Sequence, residues 1–416
     1  MPRRRVVVVR RRGRTVGPHR ARPGAAGSLC PTCDPACRLR APWPMGGILQ
    51  CSASRLPAMM GAPASIAGRA GCRLGHDALV VHLVTGMPGR HPPSSNQGLP
   101  VPPARMHTFG RKPPGADQRT GHRSLDGAYT ADGGTLGYKL YLSSKLRVRP
   151  PLFVMLHGAS QTAADFATGT RMPEIAEECG GIALFPEQPR SAHPLGSWNW
   201  YDARHQVAEG GEPARIVGLT RKIAADHGVD PRRIYVAGMS SGGAMAVILG
   251  QTFPGVYAAV GVHSGIPRGA AHDLVSALRT MSNGPSAEPA GPLEPSHAMP
   301  TIVFHGDSDK TVHPRNAVAV LAQALRQQAA TSTAAGSLST GPVPMPGGRE
   351  VTLTTHRRQA KASHAELWIV HGIGHAWTGG SAQGSYTDES GPDASREMLR
   401  FFLAQSLTRE RRHDRT

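Results

Sequence analysis

The pattern of apolar and polar positions changes near Gly127. After this point, strand-like apolar runs alternate with segments whose apolar residues recur at helical spacing. Continuous apolar runs are typical of strands covered on both faces. The strand-like runs are Leu152–Leu156, Gly181–Phe185, Arg233–Ala237, Ala258–Val262, Thr301–Phe304 and Leu367–Val370, and Tyr138–Leu142 alternates as a half-buried strand does. The helix-like segments are Glu212–His227, Gly243–Leu249, Asn316–Gln327 and Asp393–Gln405.

This alternation predicts one α/β domain over residues 127–407, with a mostly parallel sheet and helices on both faces. Two segments rich in Ser, Ala, Pro and Gly interrupt the pattern, and we expect them to be surface loops or a partial lid. They are Ser282–Ala298 and Ala329–Gly348. Residues 408–416 are strongly charged and are expected to form a C-terminal tail.

Residues 1–126 carry most of the net charge. They hold 20 Lys and Arg against four Asp, which gives +16 of the total of +19. Because this region is rich in Arg, Pro and Gly and has no sustained periodicity, we expect a disordered basic extension. A misassigned start is the alternative, with Met106 as one candidate. Residues 127–416 carry the remaining +3, which gives no argument for a nucleic-acid partner of this region. Nucleic-acid binding by the basic extension is a less favoured interpretation than disorder or a misassigned start.

Cysteine usage follows the same division. Cys30, Cys33 and Cys37 only partly match the spacing of a metal site, because no fourth ligand follows at the expected distance. We therefore expect no metal. Cys179 is the single cysteine after Gly127, so this region forms no internal disulfide. The chain shows neither a signal-peptide pattern nor an apolar stretch long enough to cross a membrane.

A Gly-x-Ser-x-Gly motif, Gly238–Gly242, lies between a strand-like and a helix-like run. In this context the motif forms a sharp turn that exposes the serine hydroxyl, and the glycines avoid clashes with the strand and the helix. We therefore predict that Ser240 is a nucleophile, with Ser241 as the alternative. The Ser241 N–H, at a helix N-terminus, would be one donor of an oxyanion hole.

The loop after Leu152–Leu156 is expected to supply a second oxyanion donor. Its sequence continues as His157-Gly158-Ala159-Ser160. Ala159 is the expected donor and Ser160 the alternative, and an ordinary glycine turn after a strand is the other interpretation of this segment.

Two further polar segments follow strand-like runs. Asp309 comes shortly after the run ending at Phe304, where its carboxylate could orient a histidine, and Asp307 is its competitor. His375 follows the last strand in a loop next to a glycine and is the expected general base, with His371 as the alternative. The order Ser, Asp, His along a chain is that of the α/β-hydrolase fold rather than of other serine hydrolase folds.

Together these segments resemble the poly(3-hydroxybutyrate) depolymerase family of esterases, which includes feruloyl-esterase-like and acetylxylan-esterase-like members. The likeness covers roughly Leu136–Leu403 and rests on many motifs in the same order. The motifs are Leu156–Gly158, Gln161–Phe166, Pro186–Gln188, Trp198–Trp200, Gly211–Ala214, Val229–Gly238, Gly261–Gly265, Gly374–Trp377 and Gly384–Asp388.

The resemblance implies an α/β-hydrolase fold and hydrolysis of a carboxylic ester, without a cofactor, by a triad of Ser240, Asp309 and His375. It also implies that tryptophans line the acyl or polymer-binding cleft, with core packing as the alternative interpretation. These tryptophans are Trp198, Trp200 and Trp377.

Two departures from the family pattern bear on the compartment and the substrate that the resemblance implies. Family members often carry cysteines where this chain has Ala159 and Ser197, which is consistent with a lost disulfide and favours a reducing compartment. No substrate-binding domain follows the catalytic region, which favours oligomers or small soluble esters over crystalline polyester. The resemblance points to an extracellular location, whereas the lack of a visible signal peptide favours a cytoplasmic one.

The favoured function is a serine esterase that cleaves hydroxyalkanoate oligomers or related short-chain esters through an acyl-enzyme on Ser240. A feruloyl- or acetylxylan-type esterase is the main alternative. An oligopeptidase-like serine peptidase is less favoured because no propeller-like repeats accompany the domain. A non-catalytic binding protein is disfavoured because every part of the triad is present.

Overall fold

The structure is a computed structural model that describes residues 121–131, 134–286, 298–331, 336–345, 349–358 and 363–407. Within them, one large sheet contains β1 (Arg123–Ala131), β2 (Gly134–Leu142), β3 (Leu152–Leu156), β4 (Ile182–Glu187), β5 (Ile234–Met239), β6 (Ala259–His263), β7 (Thr301–Gly306), β8 (Gly336–Val343), β9 (Val351–Arg358) and β10 (Ser363–Val370). A separate short ladder pairs β11 (Trp377–Thr378) with β12 (Thr387–Asp388). The α-helices are α1 (Ala163–Thr170), α2 (Met172–Glu178), α3 (Gly211–Asp226), α4 (Ser241–Thr252), α5 (Leu274–Asn283), α6 (Arg315–Thr331) and α7 (Ala394–Leu403).

The strands follow the order β1-β2-β4-β3-β5-β6-β7-β10-β9-β8 across the large sheet. The six central strands, from β4 to β10, are parallel. Antiparallel pairs add β1 and β2 at one edge and β9 and β8 at the other. The carboxyl ends of β5, β6, β7 and β10 therefore meet at one edge of the sheet, where α/β proteins bind their ligands.

Strand β3 shows how the apolar pattern builds the core. Its alternate residues Leu152, Val154 and Leu156 pack in the cluster that contains residues of α3, α4 and α6. Phe153 and Met155 point the opposite way and pack with residues of α1, α2 and α7. Because both faces are covered, all five residues are apolar and buried. The predicted mostly parallel sheet with helices on both faces is confirmed.

Some boundaries differ from the sequence predictions. The sheet begins at Arg123, before the change in composition at Gly127, because β1 is largely exposed and carries few apolar residues. The predicted loop Ala329–Gly348 contains β8, an exposed strand whose Ser, Gly and Pro content is typical of a loop. The last residues of α5 overlap the predicted loop Ser282–Ala298, most of which lies outside the described residues.

Several predictions concern parts of the chain outside the described residues. They are the disorder of the N-terminal extension, its start site, its partial metal-binding motif and the charged C-terminal tail. In the described part, Cys179 is a buried free thiol. No helix there has the length and apolar character needed to span a bilayer.

Candidate active site

Ser240 lies in the turn between β5 and α4, at the edge where the parallel strands end. Its backbone has φ 56° and ψ −120°, a conformation that a residue other than glycine rarely adopts. The Ser240 N–H donates to the carbonyl of His263 at 2.9 Å, and this contact fixes the turn against the end of β6. The Ser240 side chain is partly exposed. The turn therefore presents this hydroxyl at the surface, as the motif predicts.

The two glycines of the motif are needed for the close approach of the turn to β3. A Cβ at Gly242 would lie 2.1 Å from the carbonyl oxygen of Leu156 and 2.5 Å from that of His157. A Cβ at Gly238 would lie 2.4 Å from the carbonyl group of Gly242 itself. These are backbone atoms, which cannot rotate away, so both positions exclude any side chain.

We expect Gly242→Ala to lower the free energy of unfolding by about 3 kcal/mol, because β3 and the turn must move apart to admit the methyl group. Gly137→Ala is the matched control, since a Cβ there meets no atom within 4 Å. This control should change the free energy by less than about 0.5 kcal/mol. Urea unfolding of both variants measures the difference, and equal stabilities would contradict the steric argument.

Asp309 and His375 are joined by a short hydrogen bond. The His375 Nδ1–H donates to Asp309 Oδ2 at 2.7 Å, which leaves His375 Nε2 without its proton when the ring is neutral. The N–H groups of Thr311 and Val312 donate to the other carboxylate oxygen of Asp309 at 2.9 and 2.8 Å. The Asp309 carboxylate is therefore fixed at both oxygens, and the ring of His375 is fixed by Asp309.

His305 also contacts this carboxylate, a role that the sequence reasoning missed. Its Nε2–H donates to the carbonyl of Val312 at 2.7 Å and lies 3.3 Å from Asp309 Oδ2. Burial alone would raise the pKa of the Asp309 carboxyl, but the hydrogen bonds from His305 and His375 hold that pKa well below its ordinary value. Asp309 therefore stays ionised at neutral pH. The sequence feature that could have suggested this contact is the His305-Gly306 pair, which precedes Asp309.

The competing residues Asp307 and His371 pair with each other. The His371 Nδ1–H donates to Asp307 Oδ2 at 2.8 Å, and the Gly372 N–H donates to the other oxygen at 2.7 Å. The hydroxyl of Thr352 lies 2.8 Å from His371 Nε2. The structure thus holds two Asp–His pairs side by side, both joining the loop after β7 to the loop after β10, and the Asp307–His371 pair is the more exposed.

Among the described residues, no hydrogen bond joins the Ser240 hydroxyl to His375. The parallel register brings their segments to the same edge. Met239 of β5 pairs with His263 of β6, and Val370 of β10, which precedes the His375 loop, pairs with Gly306 of β7. Contacts between a nucleophile and its base are often long without substrate and shorten in the reacting complex. The structure brings Asp309 and His375 into contact and places the Ser240 turn at the same edge of the sheet, and the Ser240 hydroxyl makes no hydrogen bond to the part of the chain that the structure describes.

The backbone N–H groups of the loop after β3 differ in whether they already donate to an acceptor. Gly158 N–H donates to the side chain of Gln161 at 2.9 Å, and Ser160 N–H donates to the carbonyl of Leu195 at 2.7 Å. In the part of the loop that the structure describes, Ala159 N–H has no acceptor. The alternative donor Ser160 is therefore already occupied. Ser241 N–H, in the first turn of α4, is free of intrahelical partners as the first N–H groups of a helix are.

Gln161 links this loop to the segment beyond His375. Its side-chain oxygen accepts from Gly158, and its amide donates to Asp165 at 3.1 Å and to the carbonyl of Ser385 at 3.0 Å. The neighbouring Tyr386 has φ 53° and places its ring edge-on to His375, with centroids 6.4 Å apart. Gln161, Asp165 and Ser385 belong to the family-like motifs, but the sequence alone gave them no role.

The three predicted cleft tryptophans are buried. Trp198 and Trp377 are almost fully buried and Trp200 is 5% exposed, and each packs within the hydrophobic core. The indole N–H of Trp198 donates to the carbonyl of His157 at 3.0 Å, and that of Trp377 donates to the hydroxyl of Ser395 at 3.1 Å. These contacts support the packing interpretation, and a role in a substrate cleft stays a prediction.

Within the described ranges, no group of three or more His, Cys, Asp or Glu side chains is arranged to hold a metal ion. The polar groups at the edge of the sheet are instead arranged as an Asp–His pair, a serine on a strained turn and two N–H donors. This set can accept a proton from a hydroxyl and stabilise an oxyanion.

Several known proteins are similar to this chain in sequence or in fold. Residues 136–342 match the family model described as Esterase PHB depolymerase. The chain is 29% identical over 197 residues to feruloyl esterase B of Neurospora crassa, covering 44% of this chain and 67% of that protein. It is 30% identical over 193 residues to poly(3-hydroxyalkanoate) depolymerase C of Paucimonas lemoignei, covering 44% and 46%.

A third relative is the probable acetylxylan esterase A of Aspergillus fumigatus, at 27% identity over 203 residues, 44% of this chain and 52% of that protein. The alignments thus span between 46% and 67% of the three relatives. Among solved structures, acetyl xylan esterase from Aspergillus awamori superposes with a TM-score of 0.52 at 18% identity, covering 68% of this chain and 99% of that one. At this identity the likeness shows the fold, and it confirms the predicted α/β-hydrolase fold.

Proposed function

Residues 136–342 belong to the PHB depolymerase family of esterases, a family of carboxylic ester hydrolases, and we propose that this chain cleaves its ester through an acyl-enzyme on Ser240. The observation that carries the proposal is the Asp309–His375 hydrogen bond of 2.7 Å at the edge of the sheet where the Ser240 turn lies. A histidine held in this tautomer has Nε2 ready to accept a proton from a serine hydroxyl.

In the acylation step, Ser240 Oγ attacks the ester carbonyl carbon and its proton passes to His375 Nε2. The carbonyl oxygen becomes an oxyanion, which the N–H groups of Ala159 and Ser241 stabilise by hydrogen bonds. Collapse of the intermediate breaks the bond to the alcohol, and His375 returns the proton to that leaving oxygen. The ionised Asp309 stabilises the imidazolium that exists between these two proton transfers.

In the deacylation step, water replaces the alcohol. His375 removes a proton from the water as it attacks the acyl carbon, and the same N–H groups receive the negative charge. Breakage of the bond to Ser240 returns the proton to the serine and releases the acid. The cycle therefore consumes one water and one ester, yields one acid and one alcohol, and needs no redox group.

We propose hydroxyalkanoate oligomers or related short-chain esters as the substrates. The family model and the depolymerase relative support this class. Feruloyl or acetylated xylan esters are the second candidate, supported by two relatives whose names state those activities.

Hydrolysis of 3-hydroxybutyrate oligomers, of short acyl esters and of a feruloyl ester tests the substrate class. We expect turnover of the oligomers or the short esters to exceed that of the feruloyl ester by about tenfold or more, a difference of about 1.4 kcal/mol in transition-state binding. A preference for the feruloyl ester would leave the proposed mechanism unchanged and would make feruloyl esters the proposed substrate class. No turnover of any ester would contradict the proposed function.

A further inference from the structure

His263 is a buried histidine that the proposed mechanism does not use. It is the last residue of β6 and lies between β5 and β7 at the carboxyl edge of the sheet. In the strand register it is level with Met239, which precedes Ser240, and with Phe304 of β7. Its side chain has no exposed surface. It therefore lies beneath the edge that carries the loops of Ser240, Asp309 and His375, rather than in a site open to substrate.

Hydrogen bonds from this one residue reach two of the three catalytic segments. Its carbonyl accepts from the Ser240 N–H at 2.9 Å. Its imidazole Nε2 accepts from the backbone N–H of Thr378 at 3.1 Å, three residues after His375. Since a backbone N–H can only donate, Nε2 carries no proton. The ring proton is therefore on Nδ1, which lies 3.2 Å from the hydroxyl of Ser264 and can donate to it.

Two aromatic side chains also stack on the imidazole ring of His263. Trp377, in the His375 loop, stacks on it with centroids 5.0 Å apart and an angle of 26°. Phe304 lies on it from β7 with centroids 6.0 Å apart and an angle of 10°. Burial, with smaller effects from His305 and His375, keeps the pKa of His263 well below its ordinary value. The ring is therefore neutral, and Nε2 remains an acceptor.

We propose that His263 is a positioning residue that fixes the His375 loop relative to the Ser240 turn. This inference rests on the proposed function. The segment His371–Thr378 is held on other sides by Gly372 N–H, which donates to Asp307, and by Trp377 N–H, which donates to the carbonyl of Tyr386. The bond from Thr378 N–H to the imidazole ties this segment to the same residue that holds Ser240 N–H. His263 thereby connects the end of the His375 loop directly to the Ser240 turn.

His263→Leu removes the acceptor while keeping an apolar side chain in the core. We expect it to lower kcat by about 30-fold and to leave KM within about threefold, because a displacement of the base by a fraction of an ångström affects the reacting state more than binding. In His263→Gln, the side-chain oxygen can accept from Thr378 N–H. We expect this variant to recover kcat to within about fivefold of the wild type.

Phe304→Leu is the matched control. It removes the aromatic packing on the same ring but leaves both hydrogen bonds of His263 in place. It should lower Tm while keeping kcat within about twofold of the wild type. Full activity in His263→Leu, failure of His263→Gln to recover kcat, or an equal loss in Phe304→Leu would each overturn the inference. If His263→Leu does not fold, His263→Asn, whose amide is too short to reach Thr378, replaces it in the comparison with His263→Gln.

All variants are measured on the same soluble ester beside the wild type and Ser240→Ala. A wild type without hydrolysis, or one whose hydrolysis survives Ser240→Ala, would overturn the proposed function and this inference with it. Hydrolysis that depends on Ser240 but does not change in His263→Leu would overturn the inference alone.

Discussion

Replacing Ser240 with alanine is expected to lower kcat for a soluble ester by about 10,000-fold or more, since the acyl-enzyme can no longer form. The fold should persist. The Ser240 hydroxyl makes no hydrogen bond within the described part of the chain, and its N–H keeps the bond to the His263 carbonyl. Thermal unfolding should therefore give a Tm close to that of the wild type, which separates lost chemistry from lost structure.

Ser241→Ala gives the sharpest comparison for this variant. The Ser241 hydroxyl is buried and without a hydrogen-bond partner among the described residues, whereas its N–H, the proposed oxyanion donor, is unchanged by the substitution. We expect Ser241→Ala to keep most of the activity. An active Ser240→Ala beside an inactive Ser241→Ala would assign the nucleophile to Ser241 instead.

Asp309→Asn is expected to lower kcat by about 10,000-fold, the second large effect. The asparagine oxygen can still accept from the N–H groups of Thr311 and Val312. Its amide group then faces His375 Nδ1 and can only donate. His375 must place its proton on Nε2, which prevents that nitrogen from accepting the proton of Ser240.

Asp307→Asn is the matched control, because it makes the same chemical change in the neighbouring Asp–His pair. Asp307 bonds to His371 and Gly372 rather than to His375, so we expect kcat to fall by less than about tenfold. Steady-state kinetics of both variants at one pH measure the contrast. A larger loss in Asp307→Asn than in Asp309→Asn would assign the catalytic aspartate to the other pair.

Much of the fold could be predicted because its central strands are buried on both faces. The run Leu152–Leu156 matches β3 residue for residue, since each of its side chains enters one of the two cores. The edge strands could not be predicted in this way. Strand β8, for example, is mostly exposed, so its side chains are not required to be apolar and its composition is that of a loop.

The candidate site residues could be proposed from the sequence only where a local motif carries them. Ser240, Asp309 and His375 each follow a strand. Only their order along the chain, Ser then Asp then His, links them to one another in the sequence. The contact between His263 Nε2 and Thr378 N–H joins residues 115 positions apart, so it depends on tertiary structure that no local pattern encodes. The same holds for Ser160, whose N–H could be set aside as an oxyanion donor only once its bond to Leu195 was seen.

The tryptophans are a case in which the sequence leaves two interpretations open, a substrate cleft and core packing. Their places in the family-like motifs suggested a cleft, yet Trp198 and Trp377 are almost fully buried. Each places its indole N–H on an internal acceptor, the carbonyl of His157 or the hydroxyl of Ser395. A large side chain that is polar at one atom can appear in a motif because it supports the catalytic loops from below, and sequence does not distinguish this from contact with substrate.

We propose Ser240 as the residue that is acylated during ester hydrolysis. The most direct measurement is peptide mapping by mass spectrometry after the wild-type protein reacts with a serine-directed fluorophosphonate, with hydrolysis of a soluble ester followed in parallel. We expect one adduct, on Ser240, that forms at the same rate as activity is lost. An adduct on Ser241 or on another residue, or loss of activity without modification of Ser240, would contradict the claim.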